Sequence, residues 1–479
     1  MKTSIAIHWF RRDLRLADNP SLMLASQHTQ VLPVYILDDK NAGDWHMGGA
    51  SRWWLHHSLQ ALNQALDGKL NIYVGRAEDI ITSLCERFEV EAVYWNRCYE
   101  PWRMRRDAKI KASLHAKGIH AQSANGSLLW EPWRVCQRDG SPYQVFSPFY
   151  RKGCLKAEPP RLPLPAPASL SPLTDQARCS LDSLGLLPKI PWDQQLVPHW
   201  EIGEQGAQNR LSQFIAHSID HYKEGRNQPA EPFVSRLSPY LHFGEISPHQ
   251  VWHAIRQQGA NKHTEHFCSE LGWREFSYHL LFHQQDLPTK NLQPQFDRYP
   301  WQTHSEHLQA WQTGNTGIPF VDAGMRELWQ TGYMHNRVRM VVGSFLTKNL
   351  MIDWREGERW FWDTLVDADL ANNSASWQWI AGCGADPAPY FRIFNPVSQA
   401  QKFDPNGDYI RRYVPELSEL PNDYIHQPWS APALLLQASG ITLGQTYPKP
   451  IVDIKASRDD ALAVYEALST PNEQAIETS

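Results

Sequence analysis

No two cysteines in this 479-residue chain form a C-x-x-C pair. The seven that occur (Cys85, Cys98, Cys136, Cys154, Cys179, Cys268 and Cys383) are odd in number and irregular in spacing. That excludes a disulfide framework and a zinc site and predicts free thiols in a reducing cytosol, with no metal centre. A long apolar run is missing from the amino terminus as well. Ser4–Phe10 gives way at once to Arg11, Arg12 and Asp13, too short a run for a signal peptide or a membrane span, so a cytoplasmic protein is expected. Nor is there an excess of positive charge. The net charge of −5 excludes a uniformly basic nucleic-acid binder but allows a local basic groove. No internal repeat is visible. Tryptophan and proline, by contrast, are abundant, at 21 and 34 residues. So many indoles point to stacking surfaces or an aromatic electronic pathway, with rigid packing as the plainer use.

Apolar residues at 42% and charged residues at 20% describe a soluble globular protein, and the length suits two large domains or three smaller ones. From Ser4 to about Asn125 short apolar runs (Ser4–Phe10, Val31–Leu37, Leu70–Val74, Ala92–Trp95, Ile119–Ser123) alternate with helix-compatible segments such as Ser51–Leu66 and Ala77–Phe88. This pattern predicts an α/β domain over residues 1–130, a doubly wound parallel sheet with helices on both faces. The G-x-G-x-x-G that marks dinucleotide sites does not follow the first strand. Arg11–Arg15 stands where ligands meet such sheets, although a solvated charged turn is the simpler reading. Residues 131–196 read as an interdomain linker. Its Pro-rich stretch from Glu158 to Leu187 is semi-rigid and unable to pack a core. Residues 197–470 read as a larger, all-α domain, with the last ten or so residues frayed.

Chemistry concentrates in three stretches of that second domain. In Val234–Pro239, V-S-R-L-S-P, the Ser238–Pro239 pair predicts a helix start with the hydroxyl as N-cap. Ser235, Arg236 and Ser238 would then gather donors at a positive helix end, a phosphate-binding arrangement that many capped helices share without binding anything. In E-L-G-W-R-E-F, Glu270, Trp273 and Arg274 fall on one helical face, where an indole can raise a carboxyl pKa; an ordinary surface Glu is the alternative. From Tyr333 to Pro396 come M-H-N-R-V-R-M, D-W-R-E-G-E-R, D-A-D-L, W-Q-W and P-Y-F-R-I-F-N-P. A helix over Met334–Leu350 aligns Asn336 with Met340, sets Arg339 beside Asn336 and turns Arg337 away. Asp367 and Asp369 are candidate partners for Arg339, and a helical core with a satisfied ion pair is the bland reading.

Taken in order with W-F-R-R-D-L-R-L-A-D-N-P and Y-P-K-P-I-V-D, these motifs resemble the DNA photolyase and cryptochrome family over nearly the whole chain. The resemblance implies a helical domain holding FAD. Carried over by position, it implies FAD contacts from Tyr222, Ser235, Arg236, Leu237, Ser238, Trp273, Arg274, Asn336, Arg339, Asp367, Asp369 and Asn373, the last facing the flavin N5. Val234 stands where the family usually has Thr, which removes one hydroxyl near the phosphates. Trp377, Trp354 and Trp301 match the indole chain that passes electrons to the flavin. Glu270, Trp273, Asn336, Met340 and Trp379 match the lesion pocket, and Arg226, Arg337 and Arg392 the contacts to the DNA backbone. Relatives that repair (6-4) lesions carry H-H-x-x-R-H with two catalytic histidines. Plant cryptochromes tend to have Asp and Val at positions 336 and 340, and the DASH type Gln at 340. Asn336 with Met340 resembles the cyclobutane pyrimidine dimer photolyases instead. The expectation is therefore light-driven dimer repair on UV-damaged DNA by a monomer. Its alternatives are a cryptochrome-type photoreceptor, against which stands the lack of a long tail after Leu468, or a nucleotide-binding enzyme. Glu100 aligns with a residue that holds a folate antenna in some relatives, while Asp44–Gly49 departs from that pattern. Folate, deazaflavin, FMN and no second chromophore all stay open.

Overall fold

The computed structural model describes residues 4–386 and 391–469. Pro389 and Tyr390 of the last aromatic motif and the frayed final residues expected from the sequence lie outside them. The chain divides into two compact units. One comprises Met1–Lys223, Phe233–Gln285 and Val366–Asn372; the other comprises Glu224–Pro232, Asp286–Leu365 and Asn373–Ser479.

In the first unit β1 (Ile5–Phe10), β2 (Gln30–Leu37), β3 (Asn71–Val74), β4 (Ala92–Asn96) and β5 (His120–Ala124) form one parallel sheet in the order β3-β2-β1-β4-β5. Each predicted strand forms within one residue of its expected ends. The central strands are apolar on both sides because helices cover both faces, as buried parallel sheets require. Ile7, Trp9, Leu32, Val34 and Ile36 pack with Ile81 and Leu84 of α3 (Ala77–Arg87) and with Ile110 and Leu114 of α4 (Pro101–Ala116). On the other face Ala6, Val31, Ala92 and Tyr94 meet Ala25 of α1 (Pro20–Ala25). The helix predicted over Ser51–Leu66 is α2 (Gly49–Ala65).

One expectation for this unit is corrected. Arg11–Arg15 is not a solvated turn: Arg11, Asp13 and Arg15 are buried. Arg15 donates to the carbonyls of Asp18, Gly126 and Gly244 at 2.7–2.9 Å, and Arg11 pairs with Asp107, so each cation is neutralised or hydrogen-bonded, which is what makes its burial tolerable. Gly244, at φ +70°, is needed here, since a Cβ would lie 2.1 Å from the Arg12 carbonyl oxygen. The Pro-rich stretch is extended but not loose. It is tied to the sheet by Leu173 N–H on the Val31 carbonyl at 2.7 Å and by Asp175, which accepts from the Tyr73 hydroxyl at 2.6 Å. It lies wholly within the first unit. The same unit carries two helices of the site, α5 (Ser238–Phe243) and α6 (Lys262–His283). Asn261 starts α6, its side chain accepting from His263 and Thr264 N–H at 2.8 and 3.0 Å.

The second unit is helical, with no β-strand among its described residues. Its α7 (Pro319–Thr331) and α8 (Asn336–Ser344) approach so closely that a Cβ on Gly324 would reach 2.4 Å from Val338. The helix predicted over Met334–Leu350 is shorter than expected at both ends. His335 is an extended cap whose Nδ1 accepts from Arg337 N–H at 3.2 Å, so Asn336 is the first helical residue. After Ser344 the backbone widens, Leu350 N–H reaching the Phe345 carbonyl at 3.0 Å. Asp353 caps α9 (Trp354–Thr364), and Asn395 caps α11 (Pro396–Phe403). Between them in sequence lies α10 (Leu370–Ala381).

Candidate active site

In the first unit the segment before α5 is folded against aromatic rings. Tyr222 packs edge-on to Phe214 and Phe267 with centroids 5.6 and 5.1 Å apart. Val234 and Ser235 are half-buried and Leu237 is buried. The Ser235 hydroxyl accepts from Leu237 N–H at 3.4 Å. Arg236 takes a left-handed backbone, φ +53°, and its guanidinium lies 4.8 Å over Trp200. Ser238 is not the N-cap the sequence suggested. It is the first helical residue, and its hydroxyl donates to Asp367 at 2.6 Å. A carboxylate is a stronger acceptor for it than the helix has to offer.

Asp369, expected as a partner for Arg339 and as an FAD contact, is also a hub of polar contacts. It accepts from Arg12 at 3.2 Å, from the Tyr278 hydroxyl and from Asn372 N–H at 3.0 Å, and it pairs with His242 Nδ1 at 3.3 Å. Burial opposes its ionisation, but His242, Arg12 and Arg274 more than offset this and hold Asp369 well below the ordinary carboxylate range. Burial also drives His242 down to about 4, so at neutral pH the charge resides on Asp369 opposite Arg12. Arg12 and Arg103 in turn bracket buried Glu100 at 2.8 and 3.3 Å.

On α6, Trp273 stacks on Phe146 with centroids 3.8 Å apart and planes within 11°. Glu270 is half-buried and 3.6 Å from His266 one turn earlier. The raised carboxyl on this helix is Glu275, lifted by burial to about 7 and accepting from Trp130 N–H at 3.1 Å. Arg274 donates to the Ser127 carbonyl at 2.8 Å and covers Tyr278.

In the second unit α8 opens with Asn336 exposed and Arg337, Arg339 and Met340 half-buried. Arg337 does not turn away from Met340: its Nη1 stands 3.7 Å from the thioether sulfur, because residues three apart share a helix face. The guanidinium also covers Phe403 at 4.4 Å and donates to Asn227. Burial and the charges of Arg226 and Arg392 lower its pKa, so the three arginines are gathered into one positive field. Arg339 Nε donates to the Met334 carbonyl at 2.7 Å, with the guanidinium over Tyr333.

Asn373 and Trp377 on α10 face α9. The Asn373 amide donates to the Glu358 carbonyl at 3.0 Å, and Ser374 donates to the Glu358 carboxyl, which burial lifts to about 8. Trp377 lies edge-on to Phe361 at 5.0 Å and to Trp311 at 6.2 Å. Gly357 makes room for it, since a Cβ there would fall 2.1 Å from the indole. Trp354 is fully buried and donates its N–H to the Asn291 amide oxygen at 2.9 Å; Asp297 takes the Asn291 amide nitrogen at 2.7 Å and fixes that orientation. Trp301 is half-buried against Tyr299, centroids 4.3 Å apart, and Trp379 is half-buried. Glu358, Gly357 and Asn291 escaped sequence reading, and Arg12 was read only within Arg11–Arg15 as a charged turn. Glu358 was findable, because it stands four residues after Trp354 and so shares its buried face.

Residues 6–168 match the family described as DNA photolyase, and residues 267–467 the FAD binding domain of DNA photolyase. The deoxyribodipyrimidine photo-lyase of Agrobacterium fabrum is 48% identical across 98% of this chain and 99% of its own length. The chain belongs to the DNA photolyase and cryptochrome family. The crystal structure of a bacterial class III photolyase from Agrobacterium tumefaciens superposes with a TM-score of 0.94 at 47% identity, covering 98% of each chain. Cryptochrome-2 of Arabidopsis thaliana is 38% identical over 95% of this chain and 77% of its own. FAD is thus the cofactor of residues 267–467. In the first unit the chemistry suits it in kind: hydroxyls and a guanidinium around Ser235–Ser238, with ionised Asp369. Among the described residues no cluster of His, Cys, Asp or Glu could hold a metal, and no helix is long and apolar enough to cross a membrane.

Proposed function

We propose that this photolyase-family chain reverses cyclobutane pyrimidine dimers in DNA under light. FAD, when bound and reduced, supplies the electron on illumination. Tyr222, Ser235, Arg236, Leu237, Ser238, Arg274, Arg339, Asp367, Asp369 and Asn373 hold it. Trp273 and Trp379 receive the apolar dimer, while Asn336 and, in its protonated form, Glu270 donate hydrogen bonds to carbonyl oxygens on which charge develops, with Met340 beside them. Arg226, Arg337 and Arg392 take the phosphates, and Trp377, Trp354 and Trp301 carry electrons inward. Residues 1–130 serve as the antenna domain and 197–470 as the catalytic domain, joined through 131–196, in a monomer. A folate or deazaflavin antenna has a candidate place in a cavity of about 290 Å³ beside Trp102, Arg105 and Lys109.

The observation that carries the choice of lesion is His335. Aligned on Arg339, the H-H-x-x-R-H of (6-4) enzymes has three histidines, and this chain keeps only His335, with Asn336 and Met340 in place of the other two; His335 is buried, and its Nδ1 is committed to capping α8. It is therefore unsuited to moving a proton on the lesion, and a (6-4) product needs such a transfer whereas a cyclobutane dimer needs only an electron and its return. Illuminating the reduced protein with oligonucleotides carrying one lesion type or the other, followed by chromatography, tests this. Thymines should return from the dimer alone; recovery from the (6-4) substrate, or none from either, defeats the reading. No repair of either, with intact photoreduction, would favour the cryptochrome-type alternative.

A further inference from the structure

The second unit contains a cleft of about 710 Å³ on the far side of α11 from Phe403, in the size range of ligand sites. Ser398 and Gln401 of α11 form one wall, and Gln427, Trp429, Asp453 and Lys455 contribute to the remainder. Among the described residues the side chains of Gln401, Gln427 and Trp429 have no hydrogen bond, and the Trp429 ring has no aromatic partner. Gln427 and Trp429 are nevertheless half-buried. Asp453 is already engaged, accepting from Ala456 N–H at 2.7 Å at the start of its own helix. The cleft thus offers an indole plate, two neutral amides and one free ammonium, Lys455.

That combination fits a nucleobase better than a peptide or a simple anion. Side-chain amides present a donor and an acceptor to base edges, and a tryptophan stacks on any base. The position of α11 supports the same ligand. Its last two residues adjoin the arginine field, Phe403 lying under Arg337 at 4.4 Å and Lys402 at 5.3 Å from the same ring. A strand held by phosphates at that end of α11 has to travel the length of an eight-residue helix, about 12 Å, and pass round its side, about 10–12 Å across, to reach the cleft.

We propose that this cleft receives one unstacked base of the bound DNA, outside the lesion, with Trp429 as the stacking plate and Gln401 and Gln427 on the base edge. The proposal rests on the DNA-repair reading and adds a second base site to it. The test is an abasic scan: dimer-containing duplexes with a single abasic position placed in turn at each flanking nucleotide, titrated by anisotropy against the full-length protein. One position should bind wild type about tenfold more weakly, the value of a lost stack, and Trp429→Ala should bind the intact duplex about as weakly while being indifferent to that position. Gln401→Ala, on an exposed helix surface, should give a smaller loss at the same position and guards against a folding defect in the Trp429 variant. A flat scan in wild type, or unchanged affinity in both variants, overturns the proposal while leaving dimer binding intact. Failure of wild type to bind any dimer duplex strikes the repair reading itself, and the base site with it.

Discussion

Gly357 has no side chain because the Trp377 indole lies where one would be. Gly357→Ala should therefore displace Trp377, cost about 1–3 kcal/mol of stability through overpacking, and slow flavin photoreduction; thermal unfolding and the blue-light absorbance change read the two effects separately. Trp377→Phe should block photoreduction while FAD stays bound and repair from chemically reduced flavin survives; photoreduction at the parent rate would leave Trp377 as packing alone. Arg337 makes a different point. Burial and two neighbouring arginines already destabilise its charge, so an incoming phosphate relieves repulsion as well as forming a contact. Arg337→Ala should weaken binding at every DNA sequence and flatten the logarithmic salt slope by about one. The sequence marked both Trp377 and Arg337 by motif. Resemblance grouped Arg226 with Arg337, but the sequence could not show that Gly357 makes room for Trp377, since the two are twenty positions apart.

Among the elements, α5 shows where reading by local rules stops. Ser238–Pro239 correctly announced a helix start, yet the hydroxyl serves Asp367, 129 positions away, rather than its own backbone. No periodicity reports such a contact. Ser238→Ala should remove a hydrogen bond to a carboxylate, costing about 1.5–3 kcal/mol, and should loosen FAD severalfold in an equilibrium titration. An unchanged affinity would show that Asp367 is positioned without it. The sheet was the opposite case. The inner strands β1, β2 and β4 are largely apolar runs bounded by turn residues, and burial on both faces is a local property that composition records. The shortening of α8 was not legible, because a histidine cap depends on which ring nitrogen turns toward the backbone.

Across the whole molecule, buried titratable groups of two kinds set the response to pH. Burial holds His242 and His279 at about 4 and His249 at about 3, the last also opposed by Arg161. Burial likewise lifts Glu245 and Glu358 to about 8 and Glu275 to about 7. Below 6.5 the unfolded histidines take protons that the folded ones refuse, so acidification destabilises down to their folded values. Above 4.5 the unfolded glutamates release protons that the folded ones keep, so stability falls as pH rises toward 7–8. The two trends oppose each other between 4.5 and 6.5, and depressed carboxylates such as Asp13, at about 2, add to the loss below that window. The thermal midpoint should therefore peak between 4.5 and 6.5 and decline at pH 4 and at pH 8. A midpoint that climbs steadily from pH 6 to 8 would contradict it. None of this was visible in a net charge of −5, because the groups that matter are those the fold removes from water.

The hydrogen bond from Trp354 to Asn291 bears on how long a separated charge survives. An oxidised indole becomes a strong acid, and whether it sheds its proton decides whether the hole moves on or stays. Trp354 is sealed from water, and among the described residues the acceptor of its N–H is a neutral amide oxygen, locked in that orientation by Asp297. An amide cannot take the proton, so on the proposed relay the hole would keep its charge and its mobility until it reached half-exposed Trp301, where water can accept. Asn291→Asp would supply a base at the middle indole. Transient absorption should then show a neutral tryptophan radical stalled at Trp354, in place of one formed at the surface.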